Sequence, residues 1–402
     1  MKKLITLFAL LLLTASAARA GDWPNWRGPS YNGSTDEKNL PVKFSPTENV
    51  AWVADMPGPS AATPVVAGDH VFVSSTNPAG DELVAICLDR KTGEKLWQHN
   101  VSQGIRKDSR STYSAPSPAT DGKTVVFFYG NGEMIAYDFA GEQKWERNVG
   151  PFGFGWTFST SPVIFDGKLY MQVLQHGPDP SFILAMEPGT GETIWKQTRP
   201  SKAQAESMES FNTPMPYVHG DRRELLVAGG DCLTGHDLAT GKELWRWGTW
   251  NPERIGHWRL VPSPVAGGGV VLACAPKRDP VYAIKLGGSG VLKDDSIAWI
   301  SRDEREVSSD VPSPAFYDGD FFVLSDVRKA LSRVEPMTGK VKWTVQTPSR
   351  AKYEASPLAG DGKIYLMNFD GDVNVMDAAF RRLFGSPTEP STGSDRPNRP
   401  DR

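Results

Sequence analysis

Between about Val50 and Asp377 the chain alternates short apolar–polar runs with paired turn residues. A period of two puts successive side chains on opposite faces, which is the pattern of half-buried strands. Residues 161–195 show the unit most clearly. Pro162 opens a run over 162–164, Asp166-Gly167 supplies a hairpin turn, and a second run covers 169–174. A variable loop then leads to a run over 182–186, the Thr190-Gly191 turn and an outer strand over 192–195. Asp-Gly recurs at Gly122, Gly319 and Gly362, and Thr-Gly at Gly93, Gly241 and Gly339. Gly267-Gly268-Gly269 reads as a further hairpin turn, because no helix follows it to make a phosphate loop. No segment sustains apolar residues at three- and four-residue spacing, so little helix is expected.

The unit repeats. Ser-Pro or Thr-Pro before an apolar residue occurs at Pro64, Pro118, Pro162, Pro214, Pro264, Pro314 and Pro357. A Trp recurs at Trp52, Trp97, Trp145, Trp195, Trp245, Trp299 and Trp343, with spacings of 45, 48, 50, 50, 54 and 44 residues. Four-strand units of this length, stacked radially, predict an all-β fold, a β-propeller. Seven units are visible, so the ring is either seven-bladed or eight-bladed with an incomplete last blade. The Trp52 segment precedes the first full unit and is expected to complete the last blade. Each Trp is expected to cover the neighbouring sheet's edge and to donate through its indole N–H. Small residues at Cys87, Ala136, Ala185 and Gly235 are expected to avoid a clash with the neighbouring sheet.

The succession Ser-Pro, Gly-Asp/Lys, Val/Leu-Phe/Tyr, Ala-x-Asp and Thr-Gly-Glu-x-x-Trp resembles the pyrroloquinoline-quinone-type (PQQ-like) propeller repeat, over roughly Val50 to Asp377. The leader Asp22-Trp23-Pro24-Asn25-Trp26-Arg27-Gly28-Pro29 is similar to the opening of exported bacterial proteins of this type. The resemblance implies one of two functions, a quinoprotein alcohol or sugar dehydrogenase or a non-catalytic scaffold of the outer-membrane assembly machinery. For the dehydrogenases it also implies adjacent cysteines in a ring disulfide, Ca²⁺ held by Glu, Asn and Asp, an Asp base and a Trp beneath the quinone. This chain has no Cys-Cys pair, and no calcium ligand or catalytic Asp can be matched to the motif.

Composition narrows the choice. With 39 Gly and 32 Pro in 402 residues, about 18% of the chain is turn-forming, which excludes a coiled coil. Aromatic residues at 10% exclude a disordered chain, and a net charge of -3 gives no phosphate-backbone footprint. Lys2, Lys3, the apolar run to Leu13 and Ala18-Arg19-Ala20 read as a secretory signal over residues 1–20, predicting a periplasmic or secreted protein. Residues 21–49 form an N-terminal extension, 50–384 the propeller and 385–402 a Pro-rich tail expected to be disordered. Cys87, Cys232 and Cys274 are expected to be small buried residues.

In a propeller, the loops before each inner strand and those between second and third strands share one face. On that face stand Arg106, Arg110 and Tyr113 before unit two, Trp156 before unit three, and Glu206 and Glu209 before unit four. His257, Trp258 and Arg259 precede unit five, Tyr353 precedes unit seven, and His176, Asp326 and Arg328 occupy second-to-third-strand loops. Arginine forks beside aromatic platforms suit an anion or carbohydrate, and a solvated loop surface explains the same residues. His70, His99, His219 and His236 read as structural. The expectation is a non-catalytic monomer that binds a protein or glycan partner, with no cofactor, metal, nucleic acid or membrane span. A PQQ- and Ca²⁺-dependent dehydrogenase is the alternative. A hydrolase using Glu206 and Glu209 is a third reading.

Overall fold

A computed structural model describes residues 21–103, 112–248, 250–379 and 383–385. Seven antiparallel sheets follow one another along the chain, with strands in 65–103, 119–148, 163–198, 215–247, 265–300, 315–346 and 358–385. They are the blades of a propeller, numbered 1 to 7 here. Blade 3 consists of Val163–Phe165, Lys168–Val173, Phe182–Met186 and Thr193–Thr198, close to the runs expected from sequence. The helical segments among the described residues are the short 3-10 turns Ala205–Met208 and Asp294–Ser296, and no helix there is long and apolar enough to cross a membrane. Asp-Gly earns its place at Asp166-Gly167, Asp318-Gly319 and Asp361-Gly362, where both residues have positive φ and close two-residue hairpins.

The cores are interblade layers. Val126, Phe128 and Ala136 of blade 2 pack on Ile164, Leu169 and Leu184 of blade 3, and comparable layers recur around the ring. The tryptophans work as expected in five of seven positions. The indole N–H of Trp97, in blade 1, donates to the Phe139 carbonyl at 3.1 Å in blade 2, and its ring lies over Gly141. Trp52, Trp145, Trp195 and Trp299 donate likewise to Arg90, Pro188, Leu238 and Pro336. A Cβ on Gly191 would fall 2.6 Å from the Trp145 ring, so the Thr-Gly turn is glycine both for its φ of 72° and for this contact.

Two tryptophans depart. Residues Gly290–Leu292 leave blade 5 and pair in parallel with the outer strand of blade 4, making that sheet five-stranded. Trp245 accordingly donates within its own blade, to buried Glu224 at 2.8 Å. The Trp343 indole N–H has no partner among the described residues. Cys87, Ala136 and Ala185 lie in the interblade layers as expected, and the small residues have a second reason as well. Cys87, Ala136, Ala185 and Gly235 face Trp97, Trp145, Trp195 and Trp245 of the same blade, beside a bulge. A Cβ on Gly235 would meet Trp245, not the neighbouring sheet.

The Ser/Thr-Pro motif builds the ring. The Thr63 backbone N–H donates to Ser117 Oγ at 2.9 Å, and Ser117 N–H to Ser161 Oγ at 3.0 Å. The series continues through Thr213, Ser263 and Ser313 to Ser356, each bond 2.9–3.0 Å long. Every blade is thereby tied to the next, and among the described residues the series stops between blades 7 and 1.

That seam is spanned by the N-terminal extension. Trp23 bridges Val66 of blade 1, Pro24 accepts from Thr120 of blade 2, and Asn25 exchanges hydrogen bonds with Ile164 of blade 3. Arg27 donates to the Pro314 and Pro357 carbonyls, while Asn32 and Gly33 accept from Phe316 and Ala359 of blades 6 and 7. Residues 22–35 therefore run across the axial end of the ring. The chain next passes Asp361 and Tyr365 of blade 7 at Leu40 and Pro41, then reaches blade 1 at Trp52. Contrary to expectation, residues 50–56 form no strand and do not complete the last blade. Leu383–Gly385 does so, pairing with Val373–Asp377. Trp52 instead covers Gly93 of blade 1, as the Trp of a preceding blade would. Beside it, a groove of about 410 Å³ runs along Ala54, Met56, Ile86 and Leu88. Residues 1–20 and 386–402 lie outside the described residues.

Candidate functional site

The loops before blades 3, 4 and 5 converge with the second-to-third-strand loop of blade 3. Ser210 sits between Leu174 and Leu260 in two isolated β-bridges, so its backbone joins three of these loops. The 3-10 turn Ala205–Met208 precedes it, with Ala205 at a φ of 48°. It presents Glu206 outward and carries the chain to Glu209, which points inward.

Glu206 Oε1 accepts from the Trp156 indole N–H at 2.8 Å and from Arg259 at 2.5 Å. The Arg259 guanidinium lies 5.5 Å from the Trp156 ring centroid, a cation–π arrangement. Trp156 remains 36% exposed. The three side chains form a partly exposed platform with both charges present and an aromatic face. Ser207 ties it down, donating to the Ile255 carbonyl and accepting from the Trp258 backbone at 2.6 Å. Trp258 itself packs against the core between blades 4 and 5, and His257 is exposed.

Beneath the platform, Glu209 is fully buried, which corrects its placement as a surface group. Oε1 accepts the Gly155 N–H at 2.7 Å and stands 2.5 Å from Nδ1 of His176, a close contact without hydrogen-bond alignment. Oε2 has no partner among the described residues. Burial pushes the carboxyl above its usual range, only partly offset by Gly155 and His176. Nearby, Asp231 is buried and held by Asn251 at 3.0 Å and Arg254 at 3.1 Å.

The structure thus brings Trp156, His176, Glu206, Glu209, Trp258 and Arg259 together. It separates others. Tyr353 is a correction: it is fully buried between blades 6 and 7, its hydroxyl donating to Asn374. Tyr113 is likewise packed against the blade 1–2 core. Asp326 accepts the Asp310 N–H at 3.0 Å near blades 5 and 6, and Arg328 is exposed there. Arg106 and Arg110 lie outside the described residues. Sequence reasoning missed Ser207 and the Asp231–Asn251 pair, and no local signal marks them. The three cysteines are free and buried as expected. His236 is buried, its ring between the Gly241 carbonyl and Thr234 Oγ1.

Among solved structures, the fold is similar to a europium-containing methanol dehydrogenase, with a TM-score of 0.66, 11% identity and 91% of this chain and 85% of that one covered. Quinohemoprotein alcohol dehydrogenase from Comamonas testosteroni gives a TM-score of 0.64 at 16% identity, covering 92% and 74%. BamB from Moraxella catarrhalis gives 0.53 at 14%, covering 83% and 86%. These identities establish the fold alone. In sequence, 194 residues are 26% identical to a polyvinylalcohol dehydrogenase of Sphingopyxis sp. (strain 113P3), 44% of this chain but only 28% of that protein's length. The family described as outer membrane protein assembly factor BamB matches residues 34–177 and 154–298. Those matches span about two thirds of the 402 residues, and the chain belongs to this family of PQQ-like repeat propellers.

Proposed function

We propose that this protein is an exported binding module that presents the blade 3–5 loop face to a protein or glycan partner. The observation that carries this reading is the Trp156–Arg259–Glu206 platform, an exposed aromatic ring braced by an ion pair. Trp and Arg are the residue types that dominate interface energetics, and a sugar ring or a partner's apolar side chain would stack on the same surface. The bonds that Glu206 makes preorganise the platform, which lowers the ordering cost of binding.

A second reading, a quinoprotein dehydrogenase, is favoured by the match to polyvinylalcohol dehydrogenase. The described residues do not fit a quinone clamped by a ring disulfide. The cysteines stand on different blades.

The deciding experiment pairs two assays on the purified protein. Immobilised envelope glycans and envelope proteins are screened for binding, and Trp156→Ala and Arg259→Ala are compared with the parent. The reading expects weaker capture by both variants with unchanged thermal midpoints. Dye reduction that requires PQQ, Ca²⁺ and an alcohol would overturn it in favour of the dehydrogenase.

A further inference from the structure

The axial end of the ring contains a charge without a counter-charge among the described residues. Arg27 is buried, and burial alone lowers its pKa, to about 9. Its terminal nitrogens donate to the carbonyls of Asn32, Pro314 and Pro357, and its Nε–H finds no acceptor among the described residues. Arg199, which is also buried, differs. Its Nε donates to Thr234 at 2.9 Å and its terminal nitrogens to the Gly229 and Cys232 carbonyls.

Arg27 lines a cavity of about 10 Å³, with Trp26, Tyr31, Thr213, Met215 and Ser263 among its neighbours. Thr213 and Ser263 belong to the interblade series, and each hydroxyl oxygen already accepts a backbone N–H, from Ser161 and Thr213 respectively. Neither hydroxyl donates to any described residue, so each keeps an O–H to offer. The lining therefore holds the Arg27 guanidinium, the Thr213 and Ser263 hydroxyls, the Trp26 indole and the Tyr31 hydroxyl, which is already donated to Ile164, against apolar walls that include Val163, Pro214 and Pro264, with no carboxylate or amide side chain among them. A buried, unpaired cation is costly, and an anion in contact with it removes most of that cost. The volume admits one small occupant, a water molecule or a monatomic ion, which excludes phosphate, sulfate and organic carboxylates.

We propose that the axial cavity binds one halide ion, chloride in the native setting, between the Nε–H of Arg27 and the hydroxyls of Thr213 and Ser263. The ion fastens the N-terminal segment to blades 4 and 5, where the leader otherwise makes few hydrogen bonds. It acts independently of the loop face.

The test uses the purified protein at constant ionic strength, with gluconate replaced stepwise by chloride or bromide. The expected result is a saturable rise in thermal midpoint that depends on the halide and is absent in Arg27→Met. Crystals grown in bromide should show an anomalous peak within hydrogen-bond distance of Arg27 Nε. A midpoint that ignores ion identity, or a halide response retained by Arg27→Met, overturns the proposal. Should that variant not fold, the bromide map of the parent protein decides, and a peak-free cavity overturns the proposal as well.

Discussion

The backbone N–H of Thr213 donates to Ser263 Oγ at 2.9 Å, across 50 residues of sequence and from one blade to the next. Both groups are buried, so neither can turn to water if the other is lost. The recurrent Ser/Thr-Pro pair is thus a ring fastener. Its hydroxyl receives the preceding blade, and its proline opens the inner strand.

Ser263→Ala leaves the Thr213 N–H buried and unpaired. A destabilisation of about 1–3 kcal/mol is expected, the cost of an unsatisfied buried donor. Ser263→Thr should restore most of it, because threonine fills the equivalent positions 63 and 213. Urea denaturation of the three proteins checks this, and equal midpoints for Ala and Ser would refute the fastener.

Trp195 is 8% exposed, donates to Leu238 and lies over Gly241, whereas Trp343 is half-buried and its N–H has no partner among the described residues. Trp195→Ala should cost about 3–5 kcal/mol, and Trp343→Ala clearly less. Chemical denaturation of the pair is the measurement. A larger loss at Trp343 would show that blade 7 is stapled as tightly as the others.

His236 is held neutral by burial, which lowers its pKa to about 4. An unfolded histidine titrates near 6.5, so the unfolded chain takes up the proton first as pH falls. The stability this gives is present above pH 6.5 and is lost as pH falls from there towards 4, on the order of 3 kcal/mol in total. His236→Gln should flatten the midpoint-versus-pH curve in that window; a curve parallel to the parent's would exclude His236 as its source.

Glu209 carries the opposite sign. Its folded pKa is raised, chiefly by burial, so its protonated form favours the fold. The corresponding stability is present below the unfolded carboxyl range and is lost as pH rises through the folded value. Glu209→Gln should therefore remove a decline in midpoint on the alkaline side of about pH 4.5, while leaving the acid loss due to His236. Differential scanning calorimetry across pH separates the two slopes.

The candidate site was half legible. Trp156, His176, Arg259 and Glu206 stand in loops whose position follows from the repeat, so their shared face could be inferred. Tyr353 and Glu209 occupy equivalent loops and yet are buried. A one-residue difference in loop path decides whether a side chain meets solvent or a neighbouring blade, and loop paths carry no period. Trp52 shows a further limit. Its spacing marked it as a member of the series and its ring covers blade 1 accordingly, but spacing does not say whether the residues around it will pair as a strand.

What the sequence determined by itself is the unit: four strands joined by tight turns, marked by a Trp and a Ser/Thr-Pro pair and repeated around the ring. Those features are written within about 40 residues, where alternation and turn chemistry act locally. What only the tertiary structure decided is how distant segments meet. The leader crosses the axis so that Arg27 reaches Pro357, 330 residues away, and three loops gather around Ser210. Such contacts depend on ring geometry and on the seam between blades 7 and 1, and no local pattern encodes either.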